Sequence, residues 1–273
     1  MILHALTIAG SDPSGGAGVQ ADLKAFSAHG AYGMSVLTAL TAQNTRGVQG
    51  VHPVPPGFVT AQLDSVFDDV RVDAVKIGML GDPATVRVVA AGLRRWRPPV
   101  VVLDPVMVAK SGDRLLSADA VEALREELLP LVHLLTPNLP EAADLLGVAA
   151  ARDGAEMDEQ VHRLAALGPS VLLKGGHLDG PEAVDLLLVD GELTRLTAPR
   201  VHTRNTHGTG CALSSAIAAL RPQRPGWVGA VTDAKAWLTT ALQRADELEV
   251  GSGHGPPHHF HALWPPPAPP TRG

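Results

Sequence analysis

The residues with the clearest chemistry lie together in NTHGTGC, residues 205–211, where two glycines and a threonine precede the sole cysteine of the chain. The ALSSAIAAL that follows Cys211 reads as a helix. A glycine turn that opens a helix leaves backbone N–H groups without intrahelical partners, and with the helix dipole these make an anion site. The same position lowers the pKa of a thiol. The turn is therefore expected to hold a phosphate beside an activated cysteine. His207 could serve that cysteine as a base only if the fold brings the two together.

Asp104 closes the apolar run VVVLD, and Asn138 and Glu141 stand in TPNLPEA. Hard oxygen donors on neighbouring loops suit Mg²⁺, which keeps several waters and bridges to phosphates. Asn138 and Glu141 equally fit a capping box at the start of a helix, and spacing leaves both readings open. GSDPSGGAG, residues 10–18, has no Lys-Ser/Thr after its glycines and so is not a P-loop. Gly16-x-Gly18-x-x-Ala21 fits a loose dinucleotide fingerprint, but TALTAQNT offers no acidic residue to hold a ribose. A tight turn or a substrate wall fits this loop better than a nicotinamide site. His258, His259 and His261 resemble a metal tract, yet they have no acidic cluster beside them and are expected to be solvated or packed. Lysine is scarce, with Lys24, Lys76, Lys110, Lys174 and Lys235 the only five against seventeen arginines. Where arginine is the background cation, a retained lysine marks a place for a compact charge.

These residues need a frame to position them. Strand-length apolar runs alternate with helical spacing: a strand at 3–10, a helix over 17–28 stopped by Gly30, then GMSVLTAL as a second strand. A helix through Val59, Leu63, Val66 and Phe67 leads to DAVKIGM, and one over 86–93 leads to PVVVLDPVM. Ser117 can cap a helix whose inner face is Val121, Leu124 and Leu128. HLLTPN, two helices and PSVLLKGG follow, then a hairpin turning at Asp190-Gly191, and finally helices behind Cys211 and over 227–248. The alternation predicts an α/β fold whose mainly parallel sheet is covered on both faces. Ligands in such sheets sit beyond the carboxyl ends of the strands, which singles out Gly10, Gln43, Met79, Asp104, Asn138 and Lys174.

A net charge of −6 without a dense Lys/Arg block makes nucleic acid and anionic membranes poor partners. One cysteine excludes an internal disulfide framework and suits the cytoplasm. MILHALTIAGSDP lacks the basic n-region of a signal peptide, and no stretch has the length of a bilayer span. Residues 1–250 are expected to form one domain, and 251–273 a Gly/Pro/His-rich tail that is extended and mobile beyond Trp264.

The ordered blocks ALTIAGSDPSGGAGVQADLKAFSAHGAYG, TAQNT, VKIGML, LDPVMVAKSGDRLL, TPNLPEA, KGGH, NTHGTGC and GPPHHFHALW resemble the hydroxymethylpyrimidine/phosphomethylpyrimidine kinases of thiamine biosynthesis. The resemblance covers nearly the whole chain, including the histidine segment. It implies the three-layer α/β/α sandwich of the ribokinase-like superfamily, a homodimer, and ATP with Mg²⁺ as cofactors. The implied activity is phosphorylation of 4-amino-5-hydroxymethyl-2-methylpyrimidine and then of its monophosphate. Gln43 would hydrogen-bond the aminopyrimidine, with Gly10, Asp22, Met79 and Val106 lining the same pocket. Asp104 and Glu141 would hold the metal, and Asn138, Thr209 and Lys235 would contact the nucleotide. Lys174 and the Gly208-Thr209-Gly210-Cys211 anion hole would offset developing charge. Cys211 stands where most of the superfamily carries an aspartate, which makes it the candidate base. Some relatives with the same cysteine turn phosphorylate pyridoxal instead and lack the AQN segment, so Ala42-Gln43-Asn44 favours the pyrimidine. A binding-only sensor would need a broken anion hole or lost acidic residues, and none is lost.

Overall fold

The computed structural model describes residues 1–107 and 116–265. Lys110 and the Pro-rich stretch from residue 266, with the expectation of a mobile tail, lie outside the described residues. Eight strands form one twisted sheet: β1 (Leu3–Ala9), β2 (Ala31–Leu37), β5 (Ala74–Ile77), β6 (Val101–Leu103), β7 (Leu134–Leu135), β8 (Ser170–Lys174), β9 (Glu182–Val189) and β10 (Glu192–Pro199). Their spatial order is β10-β9-β8-β7-β6-β5-β1-β2. The six from β2 to β8 run parallel, and β9 and β10 add an antiparallel edge. Asp190 and Gly191 both take positive φ at the β9–β10 turn, as a two-residue type I′ hairpin requires.

Helices cover both faces. On one lie α2 (Pro56–Phe67), α3 (Pro83–Trp96), α4 (Ala118–Ala123), α5 (Leu139–Leu146) and α6 (Gly154–Ala165). On the other lie α1 (Gly18–Ala28), α7 (Thr209–Leu220) and α8 (Trp227–Gln243). Side chains alternate across each strand, so Leu6, Ile8, Val75 and Leu103 join the first core, while Ala5, Ala74, Val102 and Leu134 join the second. The result is a three-layer α/β/α sandwich. Asp82, Ser117 and Asp153 cap α3, α4 and α6, each accepting from a first-turn N–H. Among the described residues no helix is long and apolar enough to cross a membrane.

Two expectations change. GMSVLTAL is not one strand: the chain leaves the sheet at Thr38, whose Oγ1 donates to the Met79 carbonyl at 2.7 Å. Beyond it β3 (Ala39–Asn44) and β4 (Gly47–Pro53) form a separate two-stranded hairpin over the carboxyl edge. The last helix ends at Gln243, five residues early, and continues as a 3₁₀ turn, Ala245–Leu248. After it, residues 255–259 are buried, and the His258 N–H donates to the Ala241 carbonyl at 2.9 Å.

Candidate active site

The carboxyl ends of β1, β5, β6 and β8, the hairpin and the start of α7 surround one cleft of about 610 Å³. All six strand-end residues singled out from the sequence line it: Gly10, Gln43, Met79, Asp104, Asn138 and Lys174. Val106, Glu141 and the whole turn Gly208-Thr209-Gly210-Cys211 join them.

The turn is built by close approach. Gly208 has φ +75°, and a Cβ on it would lie 1.9 Å from the Gly16 carbonyl oxygen. A Cβ on Gly210 would come within 3.1 Å of Asp104 Oδ2 and 3.3 Å of Lys174 Nζ. The turn is thus pressed between residues 10–18 and the Asp104–Lys174 pair, and side chains larger than hydrogen would push them apart. No side chain caps α7, so its first N–H groups remain available to an anion.

Lys174 Nζ donates to Asp104 Oδ1 at 2.8 Å, and the Thr136 hydroxyl reaches the same oxygen at 3.3 Å. Asn138 and Glu141 do form a capping box: each backbone N–H donates to the other's side chain at 2.9 Å. The capping reading holds, and the capped Glu141 still lines the cleft. Burial pushes the Glu141 carboxyl up to about 7, Lys174 opposes the shift and Asp104 adds to it. A carboxyl so destabilised when ionised is a ready partner for a cation. Among the described residues no cluster of three or more His, Cys, Asp or Glu could hold a metal by itself. Asp104 and Glu141 both line the cleft and are hard oxygen donors of the kind that Mg²⁺ takes together with water and phosphate oxygens.

The glycine loop is organised by Asp12, a residue that sequence reasoning missed. Its Oδ1 accepts from the Ser14 N–H at 2.9 Å and the Ser14 hydroxyl at 2.7 Å. Its Oδ2 takes the Gly16 and Ala17 N–H groups at 3.1 and 2.8 Å, and His207 Nε2 at 2.8 Å. Burial would raise the Asp12 carboxyl, but the hydrogen bonds, His207 first, hold it down to about 2. An aspartate ahead of Pro-Ser-Gly-Gly is the signal that could have found it, since such side chains bond the backbone just downstream. His207 is therefore committed to Asp12, with Gln43 Nε2 3.3 Å from the same ring nitrogen, and it is no base for Cys211. The Thr41 hydroxyl donates to Gln43 Oε1 at 3.1 Å and positions the side-chain amide at the cleft.

Cys211 departs from the expected activated thiol. Burial pushes it up to about 11; Lys76 and the Gly18 N–H oppose the shift, while Asp22 and Asp104 reinforce it. Desolvation and two carboxylates outweigh the helix terminus, and the thiol is neutral near pH 7.

Two residues are placed away from the cleft. Asp22 is fully buried and takes Lys76 Nζ at 2.9 Å on both oxygens, Thr7 Oγ1 at 2.6 Å and Ser215 Oγ at 2.7 Å. Every lone pair is used, so it stands behind the pocket wall, where its partner Lys76 alone reaches the lining. Lys235 donates to Asp185 Oδ2 at 2.5 Å and to the Ala183 carbonyl at 3.0 Å, which ties α8 to β9. His258 and His259 are packed, as one of the two sequence readings expects, among Trp237, Trp264 and α8.

The family described as phosphomethylpyrimidine kinase matches residues 12–258. A hydroxymethylpyrimidine/phosphomethylpyrimidine kinase of Escherichia coli K12 is 60% identical over 263 residues, covering 96% of this chain and 99% of the relative. One from Rhizobium meliloti is 56% identical over 97% of this chain and 99% of its own. Among solved structures, Bacillus subtilis pyridoxal kinase in an ADP complex superposes with a TM-score of 0.87 at 37% identity, covering 96% of this chain and 99% of that one. A phosphomethylpyrimidine kinase from Clostridium difficile 630 has a TM-score of 0.78 at 42% identity, over 88% of this chain and 99% of its own.

Proposed function

The chain belongs to the phosphomethylpyrimidine kinase family, and from that premise we propose that its cleft transfers the γ-phosphoryl group of ATP to hydroxymethylpyrimidine and then to the monophosphate. The observation that carries this reading is one opening shared by the Gln43 amide, the Asp104–Lys174 pair and the uncapped turn before α7. An amide offers donor and acceptor to an aminopyrimidine edge. Met79, Val106 and Gly10 enclose a flat ring beside it. Asn138 and Thr209 border the space left for nucleotide phosphates.

Phosphoryl transfer asks the protein for alignment and charge compensation rather than covalent chemistry. Lys174 and the N–H groups of the turn are fixed before substrate arrives and offset charge on the transferred group. Asp104 and Glu141 are the residues that would hold Mg²⁺, which when bound supplies Lewis-acid stabilisation to phosphate oxygens. Cys211 is the group at the turn that can take the hydroxyl proton, but only as thiolate. A thiol held near 11 has a small ionised fraction at pH 7, so the alcohol step should quicken as pH rises. The monophosphate is already an anion and needs no such base. The reading extends to a cytoplasmic homodimer, and the exposed Leu40 and Val51 of the hairpin offer apolar surface to a second copy.

Cys211→Ala separates the roles. It should slow phosphorylation of the alcohol by about 10²–10⁴-fold and that of the monophosphate far less. ATP consumption with the pyrimidine, its monophosphate and pyridoxal, followed side by side in both proteins, is the measurement. Equal losses in the two steps would assign Cys211 to the shape of the turn. Pyridoxal as the preferred acceptor would overturn the substrate assignment.

A further inference from the structure

Residues 251–255, GSGHG, lie behind the cleft and belong to none of the roles above. They join two elements that meet across the substrate. The Gly253 N–H donates to Thr45 Oγ1 at 3.1 Å, and the His254 N–H to the Thr45 carbonyl at 2.8 Å. Thr45 is two residues beyond Gln43. One step further along, the Gly255 N–H donates to Asn205 Oδ1 at 3.1 Å, and the Gly255 carbonyl accepts from the His207 N–H at 3.0 Å. Asn205 and His207 begin the anion turn. The segment therefore bridges the hairpin and the turn from behind, while Gln43 and His207 meet at 3.3 Å in front.

The glycines are spaced for this contact. A Cβ on Gly253 would lie 2.1 Å from the Thr45 carbonyl oxygen and 2.9 Å from the Arg46 nitrogen, both backbone atoms that cannot swing aside. A Cβ on Gly255 would lie 2.3 Å from Asn205 Oδ1. The far side of the bridge is anchored by the buried His258 and His259 against α8. A two-stranded hairpin outside the main sheet is marginal alone, so its position must come from such outside contacts.

We propose that residues 251–255 are a strap that sets the distance between Gln43 and the anion turn, and so act as positioning residues for pyrimidine recognition. The inference rests on the pyrimidine reading of the cleft. It assigns part of the affinity to a segment that touches no substrate, because Gln43 is pre-placed by Thr45 rather than ordered when substrate binds.

Gly253→Ala tests it, with two readouts that can disagree. Hydrogen exchange should show amides of 39–44 losing about tenfold or more of their protection, with those of α3 unchanged. Calorimetry should show the pyrimidine Kd rising about tenfold and that of a non-hydrolysable ATP analogue staying within about twofold. In a Gln43→Leu background the same change should add little further loss, since both act through one contact. An unchanged pyrimidine Kd in folded Gly253→Ala, or a fully additive loss with Gln43→Leu, overturns the strap. Should Gly253→Ala not fold, Thr45→Val removes the acceptor of the Gly253 N–H while keeping the shape. It should raise the pyrimidine Kd about threefold, and no change overturns the proposal. If the wild-type chain binds no pyrimidine, the functional reading fails, and the exchange result alone decides whether the strap holds the hairpin.

Discussion

Two lysine–aspartate pairs take their lysines from strands of the same sheet, Lys76 from β5 and Lys174 from β8, and differ in almost nothing but their surroundings. Lys76–Asp22 and Lys174–Asp104 are closed at 2.9 and 2.8 Å. The first is wholly buried, with side-chain exposures of 0% on both sides, and Thr7 and Ser215 use up the remaining capacity of Asp22. In the second, Lys174 is 14% exposed and Asp104 Oδ2 faces Gly210 at the anion turn. The saturated pair holds α1, β5 and α7 together; in the other, among the described residues, both hydrogen bonds to Asp104 fall on Oδ1, and Oδ2 has no hydrogen-bond partner. Residue type does not separate them. Hydrogen-bond saturation does.

The comparison can be broken at its catalytic end first. Lys174→Gln should lower turnover by about 10²–10³-fold at saturating substrates, because a preorganised charge at the transferred group is lost. Steady-state kinetics check this, and turnover within a few fold of wild type would erase the contrast. At the structural end, Asp22→Asn leaves the Lys76 ammonium buried without its counter-charge and should cost about 3–5 kcal/mol of stability. Urea unfolding reads that loss, while turnover per folded molecule should fall only a few fold.

Glu141 sharpens the difference through pH. Its folded-state pKa is raised to about 7 from 4.5, so its stabilising contribution is present below pH 4.5 and is lost as pH rises through 7. A cation reverses this cost. Mg²⁺ affinity should therefore climb up to tenfold per pH unit between about 5 and 7 and level off above, whereas Glu141→Gln should respond little. Titration of Mg²⁺ at several pH values is the check, and equal profiles would remove Glu141 from the metal. The smallest effect is expected at the third pair. Lys235→Met should lower the melting temperature and leave the KM for ATP within about twofold, since the ammonium is spent on Asp185 and the Ala183 carbonyl. A marked rise in that KM would return Lys235 to the nucleotide.

The legible parts of the molecule were those with local causes. Alternating apolar runs and the glycine stops located the sheet and its helices, and the strand-end rule placed Gly10, Met79, Asp104, Asn138 and Lys174 in one cleft, which Gln43 reaches from the separate hairpin instead. The illegible parts were set by long-range partners. Nothing near Thr38 in the sequence announces the bond to the Met79 carbonyl that turns the chain out of the sheet. Nothing near Asp22 announces Lys76, Thr7 and Ser215 closing around it. The Cys211 ionisation was misjudged for the same reason: the helix terminus is local, while Asp22, Asp104 and the burial that outweigh it are not.

The bond from Gly253 to Thr45 spans 208 residues of chain. During synthesis at about 5–20 residues per second, roughly 10–40 s separate the appearance of the two partners. The hairpin that carries Gln43 emerges early, with Ser11 to hold Ala39 and Thr41, but its contact with Gly253 and His254 must wait until nearly the whole sandwich has been made. The contact between residues 45 and 253 is then among the last the growing chain can make, and a chain cut short within α8 lacks it.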